Sequence, residues 1–351
     1  MSVETLYYTP LAVRVAEEDD GKTVRAVLER RLGVSRKLLS RLKLTEHGIT
    51  VNGRRVYTND RVAKDDLLEL RMEQEESDDI LPEPMALDIV YEDDDLLVVN
   101  KPPGLIVHPT HGHYTGTLAN GVVRHWKERG ERVRFRPIHR LDEETSGLVA
   151  IAKTAYVHQQ LSEQLQSGEV DKRYRAYVYG CPAEPAATVN EPIDRDTDNP
   201  HLRVVTPDGY PSVTHYAVEN IYGNGAAAKV NLKLETGRTH QIRVHMKHIG
   251  CPLIGDKLYG YAGAAAGDGM DANRPATGAA AEEGAAARVT EHAGTDRSAP
   301  AASGRLEAGV DRQALHAAIL SFTHPVTRER MTFEASLPDD LRRLESELER
   351  L

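Results

Sequence analysis

The apolar positions at the start of the chain change period, and this change predicts a small helical and hairpin unit. Valines and leucines recur at helical spacing from Val24 to Leu32, where Gly33 ends the helix and Ser35 caps a second one. GITVNGRRV then predicts a strand, a tight turn at Asn52-Gly53 and a return strand. Together these elements predict a compact helix-helix-hairpin domain over residues 11–75.

A longer unit of alternating strands follows, over residues 85–351. Residues 89–91 and 96–100 flank an acidic turn and predict a hairpin, and the apolar run 148–152 predicts a buried strand. KRYRAYVYG, AKVNLKLETG, RQALHAAILSFTHP and MTFEA predict further strands. Short turns join these strands as often as helices do, which favours an α+β fold with a mixed, largely antiparallel sheet behind a small α/β domain.

Three amphipathic helices are predicted in the longer unit. The first has apolar residues at helical spacing before Gly168, which ends it. The second, GRTHQIRVHMKHIG, is expected to be capped by Thr239 and closed by Gly250. The third is C-terminal, where leucines recur at helical spacing from Leu341 to Leu351.

Two segments depart from these periods. Residues 76–84, within EQEESDDILPEP, are acidic and contain proline, so they predict a linker between the two domains. Residues 261–311 are rich in alanine and glycine and contain no leucine before Leu306, which predicts a flexible insertion.

The charge is segregated along the chain. The net charge of -10 by itself disfavours an acidic partner such as nucleic acid. Between Lys22 and Val56, however, ten basic and two acidic residues give a local charge of +8, whereas Glu73 to Asp95 holds eleven acidic and no basic residues. The basic stretch is either a solvated helix face or an RNA-binding surface. Its candidate RNA-binding residues are Arg36, Lys37, Arg41, Lys43, Arg54 and Arg55.

Composition narrows the class of protein. Hydrophobic residues make up 40% of the chain, no apolar run approaches membrane length, and the N-terminus lacks the pattern of a secretory signal. The two cysteines, Cys181 and Cys251, are too few for a disulfide framework and lack metal-site spacing. We therefore expect a soluble, cytoplasmic and monomeric protein without a bound metal.

The stretch HRLDEETSGLVAIAKT, residues 139–154, is the strongest candidate for chemistry. Asp142 lies in polar loop sequence directly before the buried strand 148–152, where a rigid sheet can orient its side chain. The ordinary structural explanation is that Asp142 and Thr145 only organise a turn, with Arg140 as a solvated partner.

The whole stretch resembles the signature of the RluA/RluD-type pseudouridine synthases. NKPPGLIVHP, the K-x-Y triplet of KRY, TGRTHQIRVH and CPLIGDKLYG resemble further motifs of that family, and SRK…GITVNG resembles the small RNA-binding domain shared with ribosomal protein S-four. The resemblance implies isomerisation of uridine to pseudouridine within RNA, with no cofactor. It also implies a catalytic domain of the pseudouridine-synthase fold.

The resemblance also implies roles for individual residues. Asp142 is the catalytic carboxylate, acting either as nucleophile on the ribose or as a base at its neighbouring carbon, and Arg243 is its ion-pair partner. Tyr174, which otherwise looks like a core tyrosine, stacks on the uracil and accepts the carbon-five proton. Arg140 contacts the flipped nucleotide. Further substrate contacts are expected from His139 and from Leu320 or Ile319.

Other functions fit the sequence less well. His240 and His245 are five residues apart and do not share a helix face as paired metal ligands would. A hydrolase using Asp142 with His108 or His240 lacks a nucleophile elbow, and His108 is more simply a hydrogen-bonded turn residue. A non-catalytic RNA-binding or ribosome-assembly factor is the main rival. The S-four-like domain favours large-subunit ribosomal RNA over transfer RNA as the substrate.

Overall fold

The computed structural model describes residues 6–260 and 310–351. Nearly all of the predicted insertion, residues 261–311, lies outside the described residues. The N-terminal unit contains a four-stranded sheet in the order β1-β4-β2-β3 and two α-helices. Its elements are β1 (Leu11–Arg14), α1 (Val24–Leu32), α2 (Arg36–Leu42), β2 (Ile49–Val51), β3 (Arg54–Arg55) and β4 (Leu67–Leu70), with a 3-10 turn at Glu17–Asp19.

The predicted helix boundaries in the N-terminal unit are confirmed. Ser35 accepts a hydrogen bond from the backbone N–H of Leu38 at 3.2 Å and so caps α2. Gly33 ends α1 in the left-handed conformation, with φ 63°. Asn52 and Gly53 also have positive φ, at 50° and 77°, which is the geometry that a two-residue hairpin turn requires.

A second, ten-stranded sheet forms the rest of the molecule. Its strands are β5 (Ile89–Glu92), β6 (Leu96–Lys101), β7 (Arg136–Pro137), β8 (Ser146–Ala152), β9 (Asp171–Tyr179), β10 (Ala186–Asn190), β13 (Val213–Tyr222), β14 (Ala227–Leu234), β15 (Leu315–Thr323) and β16 (Arg330–Glu334). The order along the sheet is β10-β13-β14-β9-β15-β8-β6-β5, with β7 on β8 and β16 on β15. Only β15 and β8 pair in parallel among the described strands, which confirms the predicted mixed, largely antiparallel sheet.

Helices cover this sheet, and a small ribbon stands beside it. The helices are α3 (Leu118–Glu128), α4 (Ala155–Gln166), α5 (Gln241–His248) and α6 (Asp339–Leu348); the ribbon is β11 (Ile193–Arg195) with β12 (Arg203–Val205), and a 3-10 turn lies at Gly223–Gly225. No helix in the described part of the chain is both long enough and apolar enough to span a bilayer.

The N-terminal unit packs directly on the large sheet. One buried cluster contains Leu28 and Leu38 of the small unit together with Leu148 of β8. Hydrogen bonds reinforce this contact: the Tyr156 hydroxyl donates to the carbonyl of Leu32 at 2.9 Å. The Gln159 amide donates to the carbonyl of Gly33 at 2.7 Å. The two units therefore share hydrophobic core as well as polar contacts.

The acidic segment predicted as a linker lies along the large sheet. Ser77 is buried and accepts a hydrogen bond from the backbone N–H of Phe135 at 2.8 Å. Ile80 belongs to the main hydrophobic cluster, and Glu76 pairs with Arg132 at 2.7 Å. These contacts fix the path of the segment even though its composition is that of a solvated linker.

The start of α5 differs from the prediction. The helix begins at Gln241, its N-cap is His240 with φ 57°, and no N-cap side chain makes a capping bond, so the expected cap at Thr239 is wrong. The Gln241 side chain instead holds the turn before the helix, because its Oε1 accepts from the Arg238 N–H at 2.9 Å and from the Thr236 hydroxyl at 2.8 Å. A left-handed histidine at a helix start is uncommon and marks a constrained turn.

Candidate active site

Asp142 lies in the loop between β7 and β8. Its neighbour Leu141 is buried, while the Asp142 side chain is 28% exposed. An Nη1–H of Arg243, from α5, donates to Asp142 Oδ2 at 3.2 Å. The structure thus brings together two residues that are 101 positions apart in sequence.

Asp256 fixes the orientation of Arg243. The guanidinium donates through Nε to Asp256 Oδ2 at 2.7 Å and through Nη2 to Oδ1 at 2.8 Å, a bidentate pair. The Asp256 side chain is fully buried, and Oδ1 also accepts the N–H groups of Leu258 and Tyr259. Burial by itself would lower the pKa of Arg243, but Asp256 and then Asp142 outweigh it and raise that pKa. Arg243 is therefore a fixed cation with one N–H directed at Asp142.

A neutral histidine flanks the same carboxylate. The Tyr259 hydroxyl accepts the N–H of Arg203 at 2.8 Å and lies 2.8 Å from His240 Nδ1. His240 Nε2 is 3.8 Å from Asp142 Oδ2. Burial is the main cause that lowers the pKa of His240. Asp142 therefore faces one permanent cation and one imidazole ring with a lowered pKa.

Two buried cations hold the backbone that follows Asp142. Lys101 donates from Nζ to the carbonyl of Glu143 at 2.8 Å. Arg312 donates from Nη1 to the carbonyl of Glu144 at 2.8 Å and is itself paired with Asp340 at 2.6 Å. Since each carbonyl has a charged donor, the loop is held from both sides.

The glycine of the Thr-Ser-Gly sequence after this loop is required for a steric reason. Gly147 has φ 116°, and a Cβ placed there would lie 2.3 Å from the carbonyl oxygen of Ala317. Only glycine allows β8 and β15 to approach so closely in parallel. Ser146 then reaches His316 Nδ1 at 2.9 Å, and Thr145 accepts from the Gln313 amide at 3.2 Å.

Tyr174 lies on β9, within range of the charge of Asp142. It is 6% exposed, and its cross-strand neighbours are Leu232 and Ala317. Burial first, and then the negative charge of Asp142, raise the pKa of Tyr174. Its hydroxyl is consequently a protonated phenol at neutral pH.

The other predicted substrate contacts lie around the same strand. Both ring nitrogens of His139 are shielded from solvent and have no hydrogen-bond partner in residues 6–260 and 310–351. Burial, and next the charge of Lys172, lower the pKa of His139 to about 3. Leu320 is buried and is the cross-strand neighbour of Lys172, whereas Ile319 pairs with Arg173.

Arg140 is exposed and lies in a basic cleft next to the loop of Asp142. Arg134 and Arg136 line the same cleft. His108, at its rim, stacks on Phe135 with ring planes 7° apart and centroids 5.9 Å apart. Its Nδ1 is buried and has no hydrogen-bond partner among the described residues, so the expectation of a hydrogen-bonded turn residue is wrong, and His108 is held by packing on the ring of Phe135.

The six predicted RNA-binding residues of the N-terminal unit are all exposed. Two of them have partners within the protein: Arg41 pairs with Glu75 at 3.0 Å, and Arg55 donates to the carbonyl of Lys43 at 3.3 Å. Arg55 also lies over the exposed ring of Tyr57, at 5.8 Å from its centroid. The surface presents cations beside an aromatic ring, a combination suited to RNA.

One other cluster has the composition of a metal site. Single ligand atoms of Asp93, Asp95 and His324 lie within 4.8 Å of one another. His324 Nδ1 accepts the N–H groups of Val326 and Thr327 at 3.2 and 3.0 Å, so the ring proton is on Nε2, 3.1 Å from Asp93. With its proton on Nε2 and its Nδ1 lone pair used by the backbone, the ring has no lone pair left for a metal ion.

Sequence reasoning missed four residues of this region. Asp256, Lys101, Arg312 and Lys172 received no role, although Asp256 lies in CPLIGDKLYG and Lys101 in NKPPGLIVHP. A single acidic residue in a glycine turn and a lysine before two prolines gave weak signals. The partners of Asp256, Lys101 and Arg312 are distant in sequence, and no local pattern reveals them.

Comparison with known proteins adds a family to this geometry. The family profile described as RNA pseudouridylate synthase matches residues 95–248. An uncharacterised RNA pseudouridine synthase of Bacillus subtilis (strain 168) is 38% identical over 314 residues, which cover 89% of this chain and 95% of that protein. A protein of Yersinia pestis named ribosomal large subunit pseudouridine synthase D is 37% identical, covering 86% of this chain and 84% of its own.

Solved structures agree at the level of the fold. The human RNA pseudouridylate synthase domain containing 4 superposes with a TM-score of 0.52 at 23% identity, covering 74% of this chain and 92% of that one. The human RNA pseudouridylate synthase domain containing 1 gives a TM-score of 0.50 at 25% identity, covering 73% and 86%.

Proposed function

As a member of the RNA pseudouridylate synthase family this chain is a pseudouridine synthase, and we propose that its substrate is large-subunit ribosomal RNA. Relatives that are 37–38% identical and are covered over most of their length bear the name ribosomal large subunit pseudouridine synthase D. The exposed cations of the N-terminal unit supply a second surface for a large RNA. Such a substrate places the enzyme in the cytoplasm.

The observation that supports the catalytic assignment most strongly is the Asp142–Arg243–Asp256 arrangement. The bidentate pair with Asp256 fixes the guanidinium of Arg243, which gives the carboxylate of Asp142 a positive neighbour of constant position. Arg243 holds only one oxygen of Asp142, at 3.2 Å, so the other is free to reach the ribose. Asp142 then either attacks the anomeric carbon or removes the proton of the neighbouring carbon.

Tyr174 supplies the face on which the uracil stacks. Its ring is held by packing against the neighbouring strands. Since its raised pKa keeps the hydroxyl protonated, the phenol accepts the carbon-five proton only if its own proton leaves in the same step. Stacking is therefore the principal role that we assign to it.

Arg140, His139 and Leu320 complete the proposed substrate contacts. The exposed guanidinium of Arg140 fills the gap that the flipped nucleotide leaves or binds its phosphate, which offsets part of the few kcal/mol that flipping costs. His139 offers two free nitrogens from a neutral ring. Leu320 gives an apolar wall next to Lys172.

The substrate assignment is tested with pure protein and transcribed RNAs. Large-subunit ribosomal RNA, small-subunit ribosomal RNA and a transfer-RNA pool are incubated separately, and pseudouridines are mapped at single-nucleotide resolution, with Asp142→Asn as the inactive control. New pseudouridine in the large-subunit transcript alone is the expected result. Modification of transfer RNA alone would overturn the substrate, and no modification of any RNA would leave a binding protein.

A further inference from the structure

Lys172 differs from the other buried lysines of the protein. Lys101, Lys153, Lys172 and Lys229 are the lysines at most 8% exposed in the described ranges. The ammonium groups of the other three are bonded, to backbone carbonyls in Lys101 and to carboxylates in Lys153 and Lys229. Lys172 is 7% exposed, and its ammonium has no hydrogen-bond or ion-pair partner in residues 6–260 and 310–351.

The position of Lys172 places this cation close to Tyr174, His139 and the turn before α5. It lies two residues before Tyr174 on β9, so both side chains are on the same face of the sheet. Its Nζ approaches the turn before α5, where a Cβ added to Gly237 would be 3.5 Å away. It also lies close enough to His139 for its charge to lower the pKa of that ring.

An unpartnered ammonium in such a place is unfavourable for folding. Burial lowers the pKa of Lys172, and no carboxylate offsets this effect. Buried cations are normally paired, as the other three lysines are. The exception is explained if an anion arrives only when substrate is bound.

The isomerisation itself produces such an anion, whichever role Asp142 has. The bond from the anomeric carbon to uracil N1 breaks, and its electron pair leaves with the uracil. The anomeric carbon then bonds to a carboxylate oxygen of Asp142, or becomes doubly bonded to its neighbour, whose proton passes to that carboxylate. After the uracil turns, carbon five bonds to the anomeric carbon, Asp142 is restored, and the carbon-five proton ends on N1.

We propose that Lys172 binds a carbonyl oxygen of the uracil and stabilises the uracil anion formed when the glycosidic bond breaks. The inference rests on the proposed function and adds a catalytic residue to it. Arg243 is already bonded to Asp142 and Asp256, so Lys172 is the buried cation that is left for the leaving group. A fixed charge directed at an oxygen that becomes negative is among the most effective catalytic devices. Lys172 keeps its proton throughout.

The test is Lys172→Met measured under single-turnover conditions on the modified RNA. Loss of one such donor lowers the rate about 10²-fold, while the dissociation constant for RNA is unchanged. Lys172→Arg restores part of the rate. Lys233→Met on β14 is the matched control, because it removes an exposed lysine of the adjacent strand and is expected to leave the rate unchanged.

Two further measurements separate this role from a structural one. RNA carrying 5-fluorouridine has a leaving group whose anion is more stable, so the defect of Lys172→Met in consuming it is expected to be smaller than with uridine. Removing an unpaired buried charge is also expected to leave the melting temperature unchanged or higher. A lower melting temperature with equal defects on both substrates would assign Lys172 to the fold.

The remaining outcomes are also informative. Weaker RNA binding with a changed salt dependence and an unchanged rate at saturation would make Lys172 a phosphate contact and overturn the inference. An unchanged rate in Lys172→Met, with active wild-type protein, overturns it without affecting the proposed function. Inactive wild-type protein overturns both.

Discussion

Arg243, the cation beside Asp142, and the cations of the N-terminal surface lie in opposite environments. Arg243 is 5% exposed and contacts two carboxylates, one of which holds it by two hydrogen bonds. Arg36 and Lys37 are exposed on α2 and have no carboxylate partner among the described residues. The first kind of charge is fixed in direction, and the second is solvated and mobile.

This difference predicts which step each region controls. A buried, oriented charge acts over a few ångströms and is little screened, so it affects the rate of bond breaking. Exposed charges act on the phosphate backbone by releasing counterions, so they affect affinity and its salt dependence. Substitutions in the two regions should therefore separate rate from binding.

The largest effect is expected from Asp142→Asn. The amide keeps the size of the carboxylate but has neither the charge nor the nucleophilicity, so the single-turnover rate falls at least about 10³-fold. RNA affinity, measured by filter binding, is expected to stay within a few-fold of wild type. Retention of more than a few per cent of the rate would show that Asp142 is not the catalytic carboxylate. The contrast between a region that controls the rate and a region that controls binding would then fail.

Asp256→Asn tests whether orientation of the cation matters beyond its presence. The amide cannot make the bidentate pair, so Arg243 loses its fixed direction, and a rate loss of about 10²-fold at unchanged RNA affinity is expected. Stability also falls, by about 3 kcal/mol, because a buried pair is broken.

The control for this prediction is Glu345→Gln, which breaks the pair with Lys229 away from Asp142. It is expected to lower stability without lowering the rate. Equal rate losses in the two variants would contradict the positioning role of Asp256.

A smaller effect is expected on the loss of thermal stability at low pH. Burial lowers the pKa of His316 to about 4, below its value in the unfolded chain, so its contribution is complete above about pH 6.5 and is lost as the pH falls toward 4. Thermal unfolding at pH 7.5 and 4.5 is expected to show a smaller difference in His316→Asn than in wild type. The pKa of Asp95 is raised to about 6 by burial and by Asp93. Its contribution to stability therefore increases as the pH falls, opposite to that of His316, and it does so in wild type and in His316→Asn alike.

The matched control for this experiment is His201→Asn, because His201 is exposed. It is expected to keep the wild-type dependence on pH. An identical dependence in His316→Asn would show that burial of that ring has no part in acid stability.

The smallest effect is expected from Arg36→Gln combined with Lys37→Gln. Affinity falls several-fold, and the slope of log affinity against log salt decreases by up to about 1.4, at about 0.7 for each lost phosphate contact with a single strand. The rate at saturating RNA is unchanged. The control is Arg342→Gln with Arg343→Gln on α6, which removes the same charge elsewhere; an equal loss of affinity there would make the effect one of net charge.

Substitution is preferable to deletion of the N-terminal unit. Leu28 and Leu38 share a core with Leu148, so removal of residues 11–75 would expose apolar surface of the large sheet. A deleted protein would lose stability together with RNA binding, and the comparison between the two regions could not be drawn from it.

Periodic segments could be predicted from the sequence because their signals are local. The helix limits at Gly33 and Ser35, the hairpin turn at Asn52-Gly53 and the buried strand after Asp142 each follow from residues within a few positions. The start of α5 could not be predicted in this way. Its N-cap is His240 in a left-handed turn, which the side chain of Gln241 supports through Arg238, whereas Thr239 satisfied the usual pattern.

The acidic segment shows the same limit for composition. Its charges and prolines are those of a solvated linker, yet Ser77 and Ile80 are buried against the large sheet. Whether a polar segment is solvated depends on the surface that it passes, and that surface is formed by residues far along the chain.

The sequence by itself determined the elements with a clear local period, the family resemblance, and the candidates Asp142, Tyr174 and Arg243, because these depend on local spacing and on residue identity. It did not predict α3 or the four strands between β9 and β14. Only the tertiary structure decided which charges are paired. Asp256 orients Arg243, Arg312 and Lys101 hold the loop after Asp142, and Lys172 is left without a partner within the described residues. Pairing depends on distance and burial, which arise only when strands remote in sequence come together in one sheet.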